Sequence, residues 1–364
     1  MLIDIIAGAR PNFMKIAPII EAILLQRQSG LLIDYRLIHT GQHYDKKMSG
    51  DFFEQLHIPE PTFNLSVGSG TQAYQVAHIM MAYEEILLQQ TPDVCLVVGD
   101  VNSTMACAIT AKKMNVKVAH VEAGIRSGDM TMPEEINRIV TDSITDFFFT
   151  TTTIANHHLR SVGIPAHKIF FVGNTMIDTL LKQMPFFKPP ACWSELQLVA
   201  QQYWVMTLHR PSNVDDEHNL MQMMASVAKH AGNFPVLFPV HPRTKKMLMG
   251  SKATQQPNVH LLDPLSYLEF NHLVKNSLAV ITDSGGITEE TTVMHIPCMT
   301  LRDSTERPET VQIGTNELIG NDTFLLADYM SKVIAGKWKK GAIPEKWDGK
   351  AGKRIVEQMI QCLS

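Results

Sequence analysis

Short apolar runs alternate along this chain with longer segments in which apolar positions recur every three or four residues. Residues 2–7 (LIDIIA) read as a strand, residues 8–12 as a turn, and a helix follows from about Phe13. Residues 35–39 and 94–98 read as further strands, with helical periodicity over 73–90 between them. The chain then turns at Gly99 and Asp100 into a helix from about Ser103. Residues 117–121 read as a strand, 134–145 as a helix, and 147–150 and 169–172 as the last strands of this half. The second half repeats the plan, with strands at 204–208, 236–239, 259–262 and 278–282 and helices from about Glu217 and after Gly286. A final helix is expected near 352–363. Strand–helix alternation predicts an α/β fold with parallel sheets, and its repetition predicts two doubly wound domains facing each other across a cleft. The Pro-rich segment 182–193 (KQMPFFKPPACW) reads as the linker. The expected domains are therefore 1–180 and 181–349, with 350–364 packing back on the first.

Composition narrows the class. Of 364 residues, 45% are hydrophobic and 19% charged, the balance of a compact globular protein rather than a disordered or fibrous one. A net charge of −4 argues against a general nucleic-acid binder, but leaves room for a local basic pocket that takes a small anion. No apolar run approaches the roughly 20 residues of a membrane-spanning helix. The N-terminus has neither the basic nor the long apolar region of a signal peptide. Cys95, Cys107, Cys192, Cys298 and Cys362 are scattered without CxxC spacing, which argues against a disulfide scaffold or zinc ribbon and suits the cytoplasm. No HExxH occurs, and Gly68-Ser-Gly70 lacks the preceding strand and third glycine of a dinucleotide fingerprint. Neither a metal nor any other cofactor is expected.

Ligands of open α/β sheets bind beyond the carboxyl ends of the strands, so chemistry is sought there. Arg10 and Lys15 follow the first strand, Gln42 and His43 the second, Asp100 the third, and Glu122 with Arg126 the fourth. In the second half, His209 and Arg210, His241, and Ser284–Gly285–Gly286 hold the same positions. The turn DSGGITEE opens a helix with two glycines, and exposed N–H groups there favour phosphate. Asp283 or Ser284 acting as a plain N-cap is the alternative. Four cations, Arg10, Lys15, Arg210 and Arg307, suit a diphosphate. Asp100, Glu122, Glu134 and Glu135 could divide acid and base work, because like charges at close range separate in pKa. Thr131-x-x-Glu134 also matches a capping box, and Asp100 could cap the helix from Ser103. Glu122 has no such capping role. His209, at a strand end, is a candidate acid or base.

The motifs GARPNFMKIAP, HTGQHYD, VVGDVNST, HVEAGIRSGDMTMPEEINRIVTD, VGNTMID, TLHRPSNVDD, HPRT, TDSGGITEE and RDSTERPE run in order through residues 1–309. Together the set closely resembles the non-hydrolysing UDP-N-acetylglucosamine 2-epimerases. That resemblance implies a GT-B-like pair of Rossmann-like domains and interconversion of UDP-GlcNAc and UDP-ManNAc without NAD or metal. It implies elimination of UDP, re-addition to 2-acetamidoglucal, supply of ManNAc-type precursors for cell-surface polysaccharide, and a homodimer. Asp100, Glu122 and Glu134 would be the acid–base carboxylates, and His209 would assist UDP. Arg10, Lys15, Arg138 and Arg210 would contact substrate. Ser284, Gly285 and Gly286 would hold the diphosphate, Glu290 the ribose, Phe270 the uracil, and Arg307 would close on the nucleotide-sugar. Gln42, His43, Glu135 and His241 fall where some bacterial members bind a second, activating UDP-GlcNAc.

The chain departs from the family pattern at several positions. Asn12 replaces a common Glu, Pro211 a common basic residue, Leu265 a frequent Gln and Thr288 another Gln. Pro211 bears on the activator site more than on catalysis. Competing readings are a hydrolysing relative that releases ManNAc and UDP, an epimerase for a modified sugar such as a diacetamido-uronic acid, a glycosyltransferase of the same architecture, and a non-catalytic nucleotide-sugar sensor. Three carboxylates beside His209 argue against the sensor.

Overall fold

The computed structural model describes residues 1–41, 56, 58–214, 216–240, 245, 248 and 256–363, with the backbone alone at Arg10, Pro211 and Ser212. It divides into two units, Met1–Lys182 with Glu345–Ser364, and Gln183–Pro344.

In the first unit seven strands pair in the order β3-β2-β1-β4-β5-β6-β7. They are β1 (Leu2–Ala7), β2 (Asp34–His39), β3 (Phe63–Asn64), β4 (Val94–Val98), β5 (Lys117–Val121), β6 (Phe147–Thr150) and β7 (Ile169–Phe171). Every pairing is parallel. All five residues of β4 are buried, the unbroken apolar run that a parallel sheet covered on both faces requires. Cys95 and Val97 pack with Ile79, Tyr83 and Ile86 of the helix Gln72–Gln89 and with Ala106 and Cys107 of the helix Asn102–Lys113. The strand order reverses between β1 and β4, the switch point at which such sheets bind ligands.

The helix Arg10–Gln28 begins earlier than the apolar pattern suggests. Pro11 is tolerated in a first turn, where its missing N–H has no intrahelical partner to lose. Asn12 Oδ1 accepts the Gly8 and Ala9 N–H groups at 3.1 and 2.9 Å, and its Nδ2 donates to the Val98 carbonyl at 3.2 Å. Asn12 thereby ties the end of β1 to the end of β4, and the donation to a carbonyl is one that Glu could not make. Pro18 inside the helix supplies no N–H to Met14, and the Thr179 hydroxyl donates to that carbonyl instead at 2.6 Å. The helix Ala351–Leu363 packs on Arg10–Gln28, and its first N–H groups donate to Asp178 at 3.1 and 2.8 Å.

In the second unit the order is β10-β9-β8-β11-β12-β13. The strands are β8 (Trp204–Thr207), β9 (Val236–Pro239), β10 (Val259–Leu262), β11 (Ala279–Thr282), β12 (Cys298–Thr300) and β13 (Asn316–Leu318). All pair in parallel. Alternate residues of β8 serve opposite faces. Trp204 and Met206 pack with the helices Glu217–His230 and Thr323–Ile334, while Val205 packs with Leu273 and Val274 of the helix Tyr267–Asn276. Here the order reverses between β8 and β11, so the segments after Thr207 and Thr282 flank the switch point.

Candidate active site

The first unit gathers its charged residues just beyond β4 and β5. Lys15 Nζ donates to Glu122 Oε2 at 2.8 Å, with both residues buried. Glu122 holds a φ of 71°. That left-handed conformation costs a residue with a side chain about 1–2 kcal/mol and concentrates at functional sites. The Glu122 and Ala123 N–H groups both donate to the Phe149 carbonyl, at 3.0 and 3.2 Å, which holds the turn in place. Gly99, with φ of 67°, occupies the facing turn, where a β-carbon would come within 3.0 Å of Lys15 Nζ.

Asp100 Oδ2 accepts Nε and Nη2 of Arg138 at 3.0 and 2.5 Å. Val101, not Asp100, occupies the N-cap position of Asn102–Lys113. Arg138 also donates to Glu135 Oε2 at 2.6 Å. Glu135 is buried and accepts the Ser127 and Gly128 N–H groups as well. Burial alone would raise its carboxyl, but Ser127, Arg138 and Gly128 together hold it below the ordinary value. Arg138 thus stands as the ion-pair partner of two carboxylates.

Glu134 opens the helix Pro133–Ile144, whose N-cap is Met132 without a side-chain cap. The Thr131 hydroxyl donates to Asp129 at 2.6 Å, so the capping box that the sequence offered does not form. Glu134 instead lines a polar pocket of about 230 Å³ with Ser69, Gln72, Gln75, Asn102 and Asn137. Asn102 Nδ2 donates to Gln72 and Gln75 at 2.6 and 2.9 Å, and Asn137 Nδ2 to the Asp100 carbonyl at 2.8 Å. The amides thus link Glu134's pocket to the Asp100 turn.

In the second unit His209 Nδ1 lies 2.6 Å from Asp283 Oδ1, while the imidazole is mostly exposed and Asp283 is fully buried. Asp283 also accepts the Arg210 N–H at 2.9 Å and Asn213 Nδ2 at 3.0 Å. Burial would raise its carboxyl, but His209 and these donors outweigh burial and lower it. A ring that donates from Nδ1 to a fixed carboxylate presents Nε2 outward for proton transfer. Sequence reasoning missed this role of Asp283. The signal lies in strand register: Thr282 pairs with Thr207, so the segments that follow, Asp283 on one side and Leu208–His209 on the other, emerge side by side.

Ser284 is the N-cap of Gly285–Val293 but makes no side-chain capping bond. A β-carbon at Gly285 would fall 2.7 Å from Glu306 Oε1, so a carboxylate already lies against this helix start. Burial would raise Glu306, yet the Arg302 guanidinium holds it at about 2. Gly286 follows within the same first turn, and Thr288 Oγ1 donates back to the Gly285 carbonyl at 2.6 Å. Arg307 Nε pairs with buried Glu289 at 2.9 Å. Glu290 is buried and accepts the Tyr267 hydroxyl at 2.7 Å; burial pushes its carboxyl up to about 7. Phe270 lies on the same helix as Tyr267 and packs with Leu265 against the core. Tyr267 was not singled out in the sequence, where nothing marks a tyrosine as the partner of a carboxylate 23 residues on. Arg210 lies half-buried after β8, and Pro211 begins the helix Pro211–Val214. Gln42, His43 and His241 lie outside the described residues, as does the side chain of Arg10.

Comparison with known proteins places the chain among 2-epimerases of UDP-sugars. A family model described as UDP-N-acetylglucosamine 2-epimerase matches residues 25–360. The chain is 39% identical to the UDP-N-acetylglucosamine 2-epimerase of Methanocaldococcus jannaschii over 98% of each chain. It is 38% identical to the UDP-2,3-diacetamido-2,3-dideoxy-D-glucuronate 2-epimerase of Pseudomonas aeruginosa, over 99% of this chain and 100% of that one. The crystal structure of the M. jannaschii epimerase in complex with UDP-GlcNAc and UDP matches it with a TM-score of 0.87 at 38% identity, covering 99% and 100%.

Proposed function

Because the chain belongs to the UDP-N-acetylglucosamine 2-epimerase family, we propose that it is an isomerase that interconverts UDP-GlcNAc and UDP-ManNAc. The observation that carries this reading is the set of carboxylates beyond β4 and β5, Glu122 with its Lys15 partner and Asp100 with its Arg138 partner, beside a pocket that holds Glu134. Inverting C2 needs a base on one face of the sugar and an acid on the other. One carboxylate takes the C2 proton while the C1–O bond breaks and UDP departs. A second carboxylate then protonates C2 of the glucal from the opposite face as UDP returns to C1.

The leaving diphosphate needs positive charge and oriented N–H groups. Arg307 and the helix start at Ser284–Gly286 supply them, and His209, its ring fixed by Asp283, exchanges a proton with the departing oxygen through its outward Nε2. Glu290 accepts the ribose hydroxyls. No metal or nicotinamide takes part in these steps. Among the described residues no helix is long and apolar enough to cross a membrane. We place the enzyme in the cytoplasm, which suits its free thiols at Cys95, Cys107, Cys192 and Cys298. Exposed Tyr74, Met81 and Leu88 recur every seventh residue on Gln72–Gln89, one face of a helix, and support a homodimer.

The two relatives at 39% and 38% identity act by name on different sugars, so the uronate stands as a second reading. Parallel assays with UDP-GlcNAc and UDP-2,3-diacetamido-glucuronate decide between them. The account expects kcat/KM at least tenfold higher for UDP-GlcNAc, with UDP-ManNAc as product. A preference for the uronate would move the function to that sugar, and free ManNAc would move it to hydrolysis.

A further inference from the structure

His120 belongs to β5 and is completely buried, two residues before Glu122. Its Nδ1 lies 2.7 Å from Asp142 Oδ1, on the helix Pro133–Ile144, and its Nε2 lies 2.9 Å from the Gly99 carbonyl. A carboxylate and a carbonyl only accept, so in this geometry the ring donates from both nitrogens. Asp142 is buried too. Its Oδ2 accepts the Gly124 N–H at 3.0 Å and pairs with Arg126 at 2.7 Å. Burial alone would raise the Asp142 carboxyl, but His120 and Arg126 outweigh it and lower it. On the other side His158 Nδ1 lies 2.9 Å from the Gly124 carbonyl.

The three segments joined by this cluster each carry a carboxylate of the proposed chemistry. Gly99 precedes Asp100, Gly124 lies two residues after Glu122, and the helix that holds Asp142 carries Glu134 in its first turn. We propose that His120 is a positioning residue: through its bond to the Gly99 carbonyl it fixes the Asp100 turn relative to Glu122. The inference rests on the epimerase reading above. It assigns His120 no contact with substrate.

Asparagine and glutamine test the two bonds separately. The amide nitrogen of Asn falls near Nδ1 and that of Gln near Nε2, so His120→Gln keeps a donor toward Gly99 and His120→Asn loses it. Turnover of UDP-GlcNAc, its KM, C2 exchange in D2O and UDP affinity are measured for both variants and wild type. The expected result for His120→Asn is a drop of at least about tenfold in kcat and in exchange, with KM and UDP affinity within about threefold. His120→Gln should stay within about threefold of wild type in all four, because an interaction that acts only on the reacting geometry shows in kcat rather than KM. Equal loss in both variants, no loss in either, or loss that merely follows the folded fraction in thermal melts overturns the proposal. If His120→Asn does not fold, 15N-histidine NMR of wild type decides. One ring with protected protons on both nitrogens, absent from His120→Gln, supports the proposal, and its absence from wild type overturns it. An active wild type with indifferent variants sinks this inference alone. A wild type without C2 exchange sinks the epimerase reading and this inference with it.

Discussion

Glu122 pairs with Lys15 and Asp100 with Arg138, yet the two carboxylates differ in access: the Glu122 side chain is 3% exposed and that of Asp100 is 30%. Both removals, Glu122→Gln and Asp100→Asn, should lower turnover by about 10²-fold or more, the usual scale for a lost acid or base. Steady-state kinetics with UDP-GlcNAc checks this, and near-normal turnover in both variants would remove them from the chemistry. Glu290 gives a pH-dependent test. Its carboxyl sits at about 7 against an ordinary 4.5, so the folded protein keeps a proton that the unfolded chain has lost. Stability therefore falls as pH rises from 4.5 to about 7 and is level above. Glu290→Gln should be more stable than wild type at pH 8, by roughly 1–3 kcal/mol, with the gap closing below pH 4.5. Its UDP affinity should drop at least about tenfold, as urea melts and calorimetric titration would reveal. A variant less stable at pH 8 would contradict the placement. At this scale the sequence exposes which residues follow strands, since that needs only local pattern. It hides pairing: Arg138 with Asp100, and Asp283 with His209, meet across 38 and 74 residues.

Among the elements, β4 and β5 are legible because four or five buried residues in a row leave a run that no turn imitates. The strands β3 (Phe-Asn), β12 (Cys-Met-Thr) and β13 (Asn-Glu-Leu) are two or three residues long and lack the unbroken apolar run that marks the equally short β7 (Ile-Phe-Phe), and sequence reading does not find them. The start of Arg10–Gln28 is hidden for another reason. Pro11 and Asn12 look like turn residues, and only the bonds from Asn12 to Gly8, Ala9 and Val98 turn them into a helix start. The turn after β4 offers the clearest element-level test. Gly99→Ala must place a β-carbon in a left-handed backbone and within 3.0 Å of Lys15 Nζ. The expected loss is about 1–2 kcal/mol in urea melts, together with a several-fold fall in kcat as Lys15 shifts from Glu122. An alanine variant with wild-type kcat would mean that this pair does not govern the chemistry.

For the whole molecule, the proposed function divides labour between the two units: the acid–base carboxylates would belong to Met1–Lys182 and the nucleotide-holding groups to Gln183–Pro344. Arg307→Ala should weaken UDP binding at least about tenfold, because it removes a cation from the diphosphate. Asp100→Asn should leave UDP affinity within a few-fold. Calorimetric titration of both variants would refute the division if the two effects were reversed. The repeat of strand and helix made two doubly wound sheets legible, since it is written in the order of elements along the chain. The central claim is that C2 loses and regains a proton while UDP leaves and returns. Proton NMR of UDP-GlcNAc incubated with the enzyme in D2O tests it most directly: the account predicts UDP-ManNAc with deuterium at C2 and deuterium entering the remaining UDP-GlcNAc, whereas UDP-ManNAc that retains its C2 proton, or free ManNAc with UDP, would contradict it.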